Sequence, residues 1–175
     1  VTLWSMEAAH PQAAEVVVRL DINSPEEMRE LGLRLAAVAR PGDLVMLTGE
    51  LGAGKTTLTR GLGEGLGVRG AVTSPTFVIA RVHPPLGDGP ALVHVDAYRL
   101  GGGLDDMEDL DLDVALSDSV VVVEWGDGKV EELSDDRLRV VIDRAVGDTD
   151  DERRVVTVTG TGERWARTGL AALAG

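Results

Sequence analysis

Residues 44–56 read LVMLTGELGAGKT, and the fold turns on how this stretch is read. Leu44 to Thr48 is an unbroken apolar run, the pattern of a strand covered on both faces. It runs into GELGAGKT, which satisfies G-x-x-x-x-G-K-[ST] with Gly49, Gly54, Lys55 and Thr56. Glycines there permit backbone conformations in which successive N–H groups aim at one anion, and the helix that follows adds its positive N-terminal end. Lys55 supplies a point charge for β- and γ-phosphates, and the Thr56 hydroxyl is an oxygen ligand for Mg²⁺. The span expected to contact ATP is Gly49, Glu50, Leu51, Gly52, Ala53, Gly54, Lys55, Thr56 and Thr57. A glycine-rich turn that binds nothing is the bland alternative, and the strand-before, helix-after context argues against it.

Upstream, Glu15 to Leu20 (EVVVRL) is short and β-branched, as a strand requires. Ser24 suits an N-cap, Pro25 the first helical position and Glu27 the third residue of a capping box, with Met28, Leu31, Leu35 and Val38 at helical spacing behind them. Pro41-Gly42 ends that helix. Downstream, a helix over Thr56 to Leu66 must carry Gly61, Gly63 and Gly65, each costing about 1 kcal/mol of intrinsic propensity against Ala, so tertiary packing has to hold it. Phe77 to Val82 and Ala91 to Val95 suit a hairpin across HPPLGDGP, and Ser119 to Val123 a further strand. Arg137 to Ile142 and Arg153 to Thr159 suit a second strand pair, and Arg164 to Leu173 a closing helix. Strand–helix alternation followed by hairpins predicts an α/β protein with a mixed sheet. Residues 1–14 lack a usable period and are expected to be a loose lead, with 15–175 forming one domain.

A phosphate-binding loop needs a carboxylate at the end of a neighbouring strand to reach Mg²⁺ directly or through water. LVHVD ends in Asp96 and VVVVE in Glu124, both acids that follow apolar strands, although either could merely end its strand in solvent. Trp125 next to Glu124 either stacks on a ligand or partner or fills core. The chain has one Gln, Gln12, and one Asn, Asn23, neither placed to orient water or read guanine, so ATP is favoured over GTP. Catalysis is therefore expected from Lys55, Asp96 and Glu124. Gly65-x-Gly67-x-x-Gly70 follows a helix rather than a strand and is no dinucleotide fingerprint. Asp109, Asp111 and Asp113 lack the glycine and glutamate of a calcium loop, and His10, His83 and His94 have no metal-ligand spacing, which leaves them structural or exposed roles.

Composition narrows the rest. With 17 Lys plus Arg against 30 Asp plus Glu, the net charge of −13 opposes bare attraction to phosphate backbones or anionic lipid, which argues against a stand-alone nucleic-acid binder. No Cys is present, which excludes disulfides, thiolate catalysis and thiolate zinc sites. Neither an apolar run of membrane-spanning length nor a signal-peptide pattern occurs in the sequence, so a cytoplasmic location is expected.

Taken together, SPEEMRELGLRLA, GDLVMLTGELGAGKTTLTRGLGEGLG, VTSPTFVIARVH, VHVDAYRL and VVVEWGDG, in this order from about Ser24 onward, resemble the TsaE (YjeE) family of bacterial tRNA threonylcarbamoyladenosine (t6A) biosynthesis. The resemblance implies a three-layer P-loop NTPase fold with a mixed central sheet flanked by helices, and a partner-stimulated ATPase that uses Mg²⁺. It implies Thr56 and Glu124 as the metal's partners and Asp96 as the Walker B acid. Thr73, Ser74, Pro75 and Thr76 would belong to a switch-like segment, with Trp125 beside the site and the Ser24-Pro25-Glu26 helix start near the base. Arg153 and Arg154 are candidate late nucleotide contacts, with nothing to choose between them. The implied partners are TsaD and TsaB, with tRNA reached only through their complex and no membrane involved. A small-molecule kinase and a binding module that uses ATP as a conformational ligand are the alternatives.

Overall fold

Pro41 and Gly42 mark the first change of direction that matters, where the chain leaves a helix and enters the strand that carries the glycine-rich loop. A computed structural model describes residues 15–50, 52–68, 80–97, 116–127, 130–144 and 153–174. In chain order they form β1 (Glu15–Ile22), α1 (Pro25–Val38), β2 (Leu44–Gly49), α2 (Lys55–Leu66), β3 (Ala80–His83), β4 (Ala91–Asp96), β5 (Ser119–Glu124), β6 (Arg137–Arg144), β7 (Arg154–Thr161) and α3 (Glu163–Thr168). Short 3₁₀ turns follow at Glu131–Leu133 and Leu170–Ala174. The expected lead over 1–14 and the Phe77–Ile79 part of the expected strand lie outside the described residues. The predicted closing helix is two pieces, because Gly169 adopts a left-handed φ of 73° that ends α3 before the 3₁₀ turn begins.

The start of α1 follows the capping logic with one adjustment. Ser24 Oγ accepts from the Glu27 N–H at 3.2 Å, while the Glu27 carboxylate reaches back to the Asn23 N–H at 2.7 Å, one residue earlier than a reciprocal box. At the other end, Ala39 is extended, and Asp43 Oδ2 accepts from the Arg40 N–H at 2.8 Å. The same carboxylate takes a bidentate pair from Arg164 at 2.6 Å per bond, and Arg164 also donates to the Val38 carbonyl. This buried clamp ties the end of α1 and the entry to β2 to α3.

Seven strands form one sheet in the order β1-β7-β6-β2-β5-β4-β3. The central block β6-β2-β5-β4 is parallel, and the flanking pairs β6–β7, β1–β7 and β3–β4 are antiparallel, so the sheet is mixed as expected. Central β2 and β5 are almost wholly buried, which explains why LVML and VVVV read as unbroken apolar runs. On one face, Val45, Leu47, Val120 and Val122 pack with Leu31 and Leu35 of α1 and Leu58 and Leu62 of α2. On the other, Leu44, Met46, Val121 and Val123 pack with Leu116 and Val130. No helix among the described residues is long and apolar enough to cross a membrane.

The helical glycines are where α1 and α2 touch. A Cβ on Gly61 would lie 2.9 Å from the Arg29 carbonyl carbon, one on Gly32 2.6 Å from the Leu62 nitrogen, and one on Gly65 2.5 Å from Ala36 Cβ. The propensity lost in α2 therefore permits backbone-to-backbone packing that no other residue allows. The two effects have opposite signs, which makes them separable. Helix propensity alone predicts that Gly61→Ala stabilises by about 1 kcal/mol. Overpacking against main chain predicts a net loss of about 1–3 kcal/mol, and urea denaturation should show the loss.

Candidate functional site

The loop between β2 and α2 turns back on itself within five residues. Gly52 and Gly54 take left-handed φ values of 80° and 117°, and the Ala53 N–H closes a turn onto the Glu50 carbonyl at 2.9 Å. A Cβ on Gly49 would come within 3.1 Å of the Ile142 carbonyl, and one on Gly54 within 3.2 Å of Met28 Cε. The glycine spacing is thus imposed by β6 on one side and α1 on the other. Gly54 is also the N-cap of α2, and no side chain among the described residues caps the first-turn N–H groups at the end that adjoins the loop.

Lys55 folds over this loop. Its ammonium donates to the Gly49 carbonyl, lies 3.5 Å from the Glu50 carbonyl, and sits 4.8 Å from the centre of the Trp125 ring. Trp125 is a non-glycine residue at positive φ, 59°, held by its N–H bond to the Leu47 carbonyl at 3.0 Å. That backbone costs roughly 1–2 kcal/mol. It carries the ring from the end of β5 over Lys55, so Trp125 flanks the loop rather than filling the core.

The parallel register sets Asp96 of β4 directly beside Glu124 of β5. Glu124 is buried; its Oε1 faces Lys55 Nζ at 4.0 Å, beyond hydrogen-bond reach, and its Oε2 is 2.7 Å from His94 Nε2. Thr56 and Thr57, both half-buried, open α2 on the same side of the sheet. Among the described residues, no cluster of three or more His, Asp or Glu could by itself hold a metal ion. One hydroxyl and one carboxylate oxygen beside a phosphate-sized loop suit Mg²⁺, which keeps waters and phosphate oxygens as its other ligands.

A small pocket of about 130 Å³ adjoins the loop, lined by Ser24, Pro25, Met28, Gly52, Ala53, Gly54, Thr57 and Arg154. The start of α1 and the head of β7 therefore meet the loop. Between the two candidate arginines, the structure puts Arg154 against the loop, its Nε donating to the Ala53 carbonyl at 3.2 Å. Arg144, its register partner on β6, reaches Gly52 from the same edge. Leu51, Thr73, Ser74, Pro75 and Thr76 lie outside the described residues. Two contacts escaped the sequence reading. In the sequence Met28 reads only as helix core, and His94 only as a structural or exposed residue. The signal for His94 was its position two residues before Asp96 in an otherwise apolar strand, which puts both on one face.

Comparison with known proteins gives this geometry its context. The family profile described as Threonylcarbamoyl adenosine biosynthesis protein TsaE matches residues 22–155. The chain belongs to the TsaE family. The TsaE protein of Streptomyces coelicolor is 82% identical over 148 residues, which cover 85% of this chain and all of that protein. The Bacillus subtilis TsaE protein is 42% identical over 144 residues, 81% of this chain and 85% of that one. The crystal structure of Bacillus subtilis YdiB superposes with a TM-score of 0.67 at 36% identity, covering 91% of this chain and 94% of that chain. The fold is accordingly the P-loop fold of the TsaE family, whose part in the cell is t6A biosynthesis on tRNA.

The loop geometry makes one test independent of any ligand. Gly54→Ala places a side chain at φ 117° against Met28 and should cost about 1–3 kcal/mol of stability in urea denaturation. In a Met28→Ala background, itself destabilised by the loss of a buried side chain, Gly54→Ala should cost only the backbone share.

Proposed function

We propose that this chain binds ATP with Mg²⁺ on Gly49–Thr57, hydrolyses it, and uses the cycle to bind and reset the TsaD–TsaB pair that modifies tRNA adenosine 37. The observation that carries the reading is the convergence of the Lys55 ammonium, the uncapped first turn of α2 and the Glu124 carboxylate within one small space. Three features that favour a triphosphate and its cation are held there by three different elements.

Lys55 would exchange its Gly49 and Glu50 carbonyl partners for oxygens of the β- and γ-phosphates. The amides of the loop and the first turn of α2 bind the remaining phosphate charge. Thr56 and Glu124 would hold Mg²⁺, whose positive charge would offset the negative charge of the phosphates. Asp96 and Glu124, side by side at the strand ends, supply the carboxylates that order an attacking water, whose oxygen bonds to the γ-phosphorus as the bond to ADP breaks. Trp125 shields one side of Lys55 from solvent and strengthens its interactions. Ser24, Pro25 and Arg154 border the loop on the side where the nucleoside would extend. The net charge of −13 fits a subunit that meets a protein surface and leaves tRNA attraction to its partners.

Isolated, the chain should release phosphate slowly, and adding TsaD with TsaB should raise the rate by about tenfold or more. Glu124→Gln should keep nucleotide binding and pull-down of the pair while turnover falls by about 10²-fold. Lys55→Ala should weaken binding and turnover together. Full-rate hydrolysis by the chain alone, with no response to the pair, would contradict partner gating. Phosphate appearing on a small-molecule acceptor would establish a kinase instead.

A further inference from the structure

His94 is fully buried in β4, and its one polar contact among the described residues is the 2.7 Å bond from Nε2 to Glu124 Oε2. Its Nδ1 is buried and has no hydrogen-bond partner among the described residues. An unmatched acceptor on a ring costs less than an unmatched N–H in apolar surroundings, and a carboxylate only accepts, so the geometry puts the ring proton on Nε2, donated to Glu124. The strand register explains the meeting. His94 pairs with Val122, two residues before Glu124 on the neighbouring strand, so the two side chains sit diagonally on the face that α2 covers.

Burying a polar ring at the cost of an orphaned nitrogen needs a return, and the carboxylate it touches is the one facing Lys55. We propose that His94 is a positioning residue for Glu124: it holds Oε2 from beneath and so presents Oε1 alone to the space beside Lys55 and Thr56. Without it, the Glu124 carboxylate is free to rotate about its last torsion or to turn towards Lys55, and a metal partner at that position loses its fixed direction. The inference rests on the ATP reading of the site for its consequence, but the hydrogen bond itself stands apart from any nucleotide.

The test uses the full chain with His94→Leu, which removes the donor and suits an apolar strand, and His94→Gln, which keeps an N–H near the position of Nε2. His94→Leu is expected to bind a fluorescent ATP analogue without Mg²⁺ as the parent chain does. The Mg²⁺ concentration that half-saturates tightening should rise by about tenfold, and kcat for phosphate release with the TsaD–TsaB pair should fall by about tenfold or more with KM little changed. His94→Gln should restore most of both, and His94→Leu should add nothing in a Glu124→Gln background. Parent-like Mg²⁺ dependence in His94→Leu, equal impairment of the Leu and Gln forms, or additive losses with Glu124→Gln would overturn the proposal.

A readout that needs no change at position 94 guards against a variant that fails to fold. The Nε2–H of His94 in the unaltered chain should give an exchange-protected imidazole resonance that moves in Glu124→Gln, and its absence or indifference to that change would also overturn the proposal. If the parent chain binds no nucleotide, the ATP reading fails, while the resonance still decides whether His94 holds the carboxylate.

Discussion

The close approach of main chain to main chain around the β2–α2 loop is the constraint on which the remaining structure depends. Gly49 lies against the Ile142 carbonyl of β6, Gly54 against Met28 of α1, and α2 reaches α1 through Gly61 and Gly65. With no side chain on these glycines, the loop, two helices and the adjacent strand pack tightly into one corner. In the proposed function this packing would pre-arrange the loop amides, so that binding phosphate would require little reorganisation.

From that corner the charged groups follow by register. Parallel pairing of β4 with β5 brings two strand-end acids side by side, and pairing of β5 with β2 puts the second of them across from the lysine that opens α2. Negative charge buried between a cation and a histidine is tolerable because each oxygen has a defined neighbour, Lys55 on one side and His94 on the other. Trp125, in its strained backbone, closes the remaining side. Membership of the TsaE family agrees with the phosphate site proposed for this corner, and the net charge of −13 agrees with the proposed action through protein contact.

Much of this was legible in the residues alone. LVMLTGELGAGKT specified strand, loop and helix because hydrophobic periodicity and glycine spacing are local properties, and Ser24-Pro25-Glu26-Glu27 specified the start of α1 for the same reason. Asp96 and Glu124 stood out as acids ending apolar strands, a pattern that burial makes costly without a cation nearby. The helical glycines, by contrast, read as a weakness of α2, since their benefit lies entirely in a neighbouring helix 29 residues away at the Gly61–Gly32 crossing. The choice between Arg153 and Arg154 was equally hidden, because only the direction of β7 decides which side chain faces the loop.

The sequence by itself determined the identity and order of the parts: a glycine-rich loop between strand and helix, the lysine that opens that helix, two strand-end carboxylates and an adjacent tryptophan, all encoded within short windows. Only the tertiary structure decided which parts touch. Strand order and register bring His94 beneath Glu124, Met28 against Gly54 and Arg154 onto Ala53, and these contacts join segments from 26 to 101 residues apart. Such pairings depend on how the sheet is stacked and on where helices cross it, quantities fixed by packing of the whole core and absent from any local pattern.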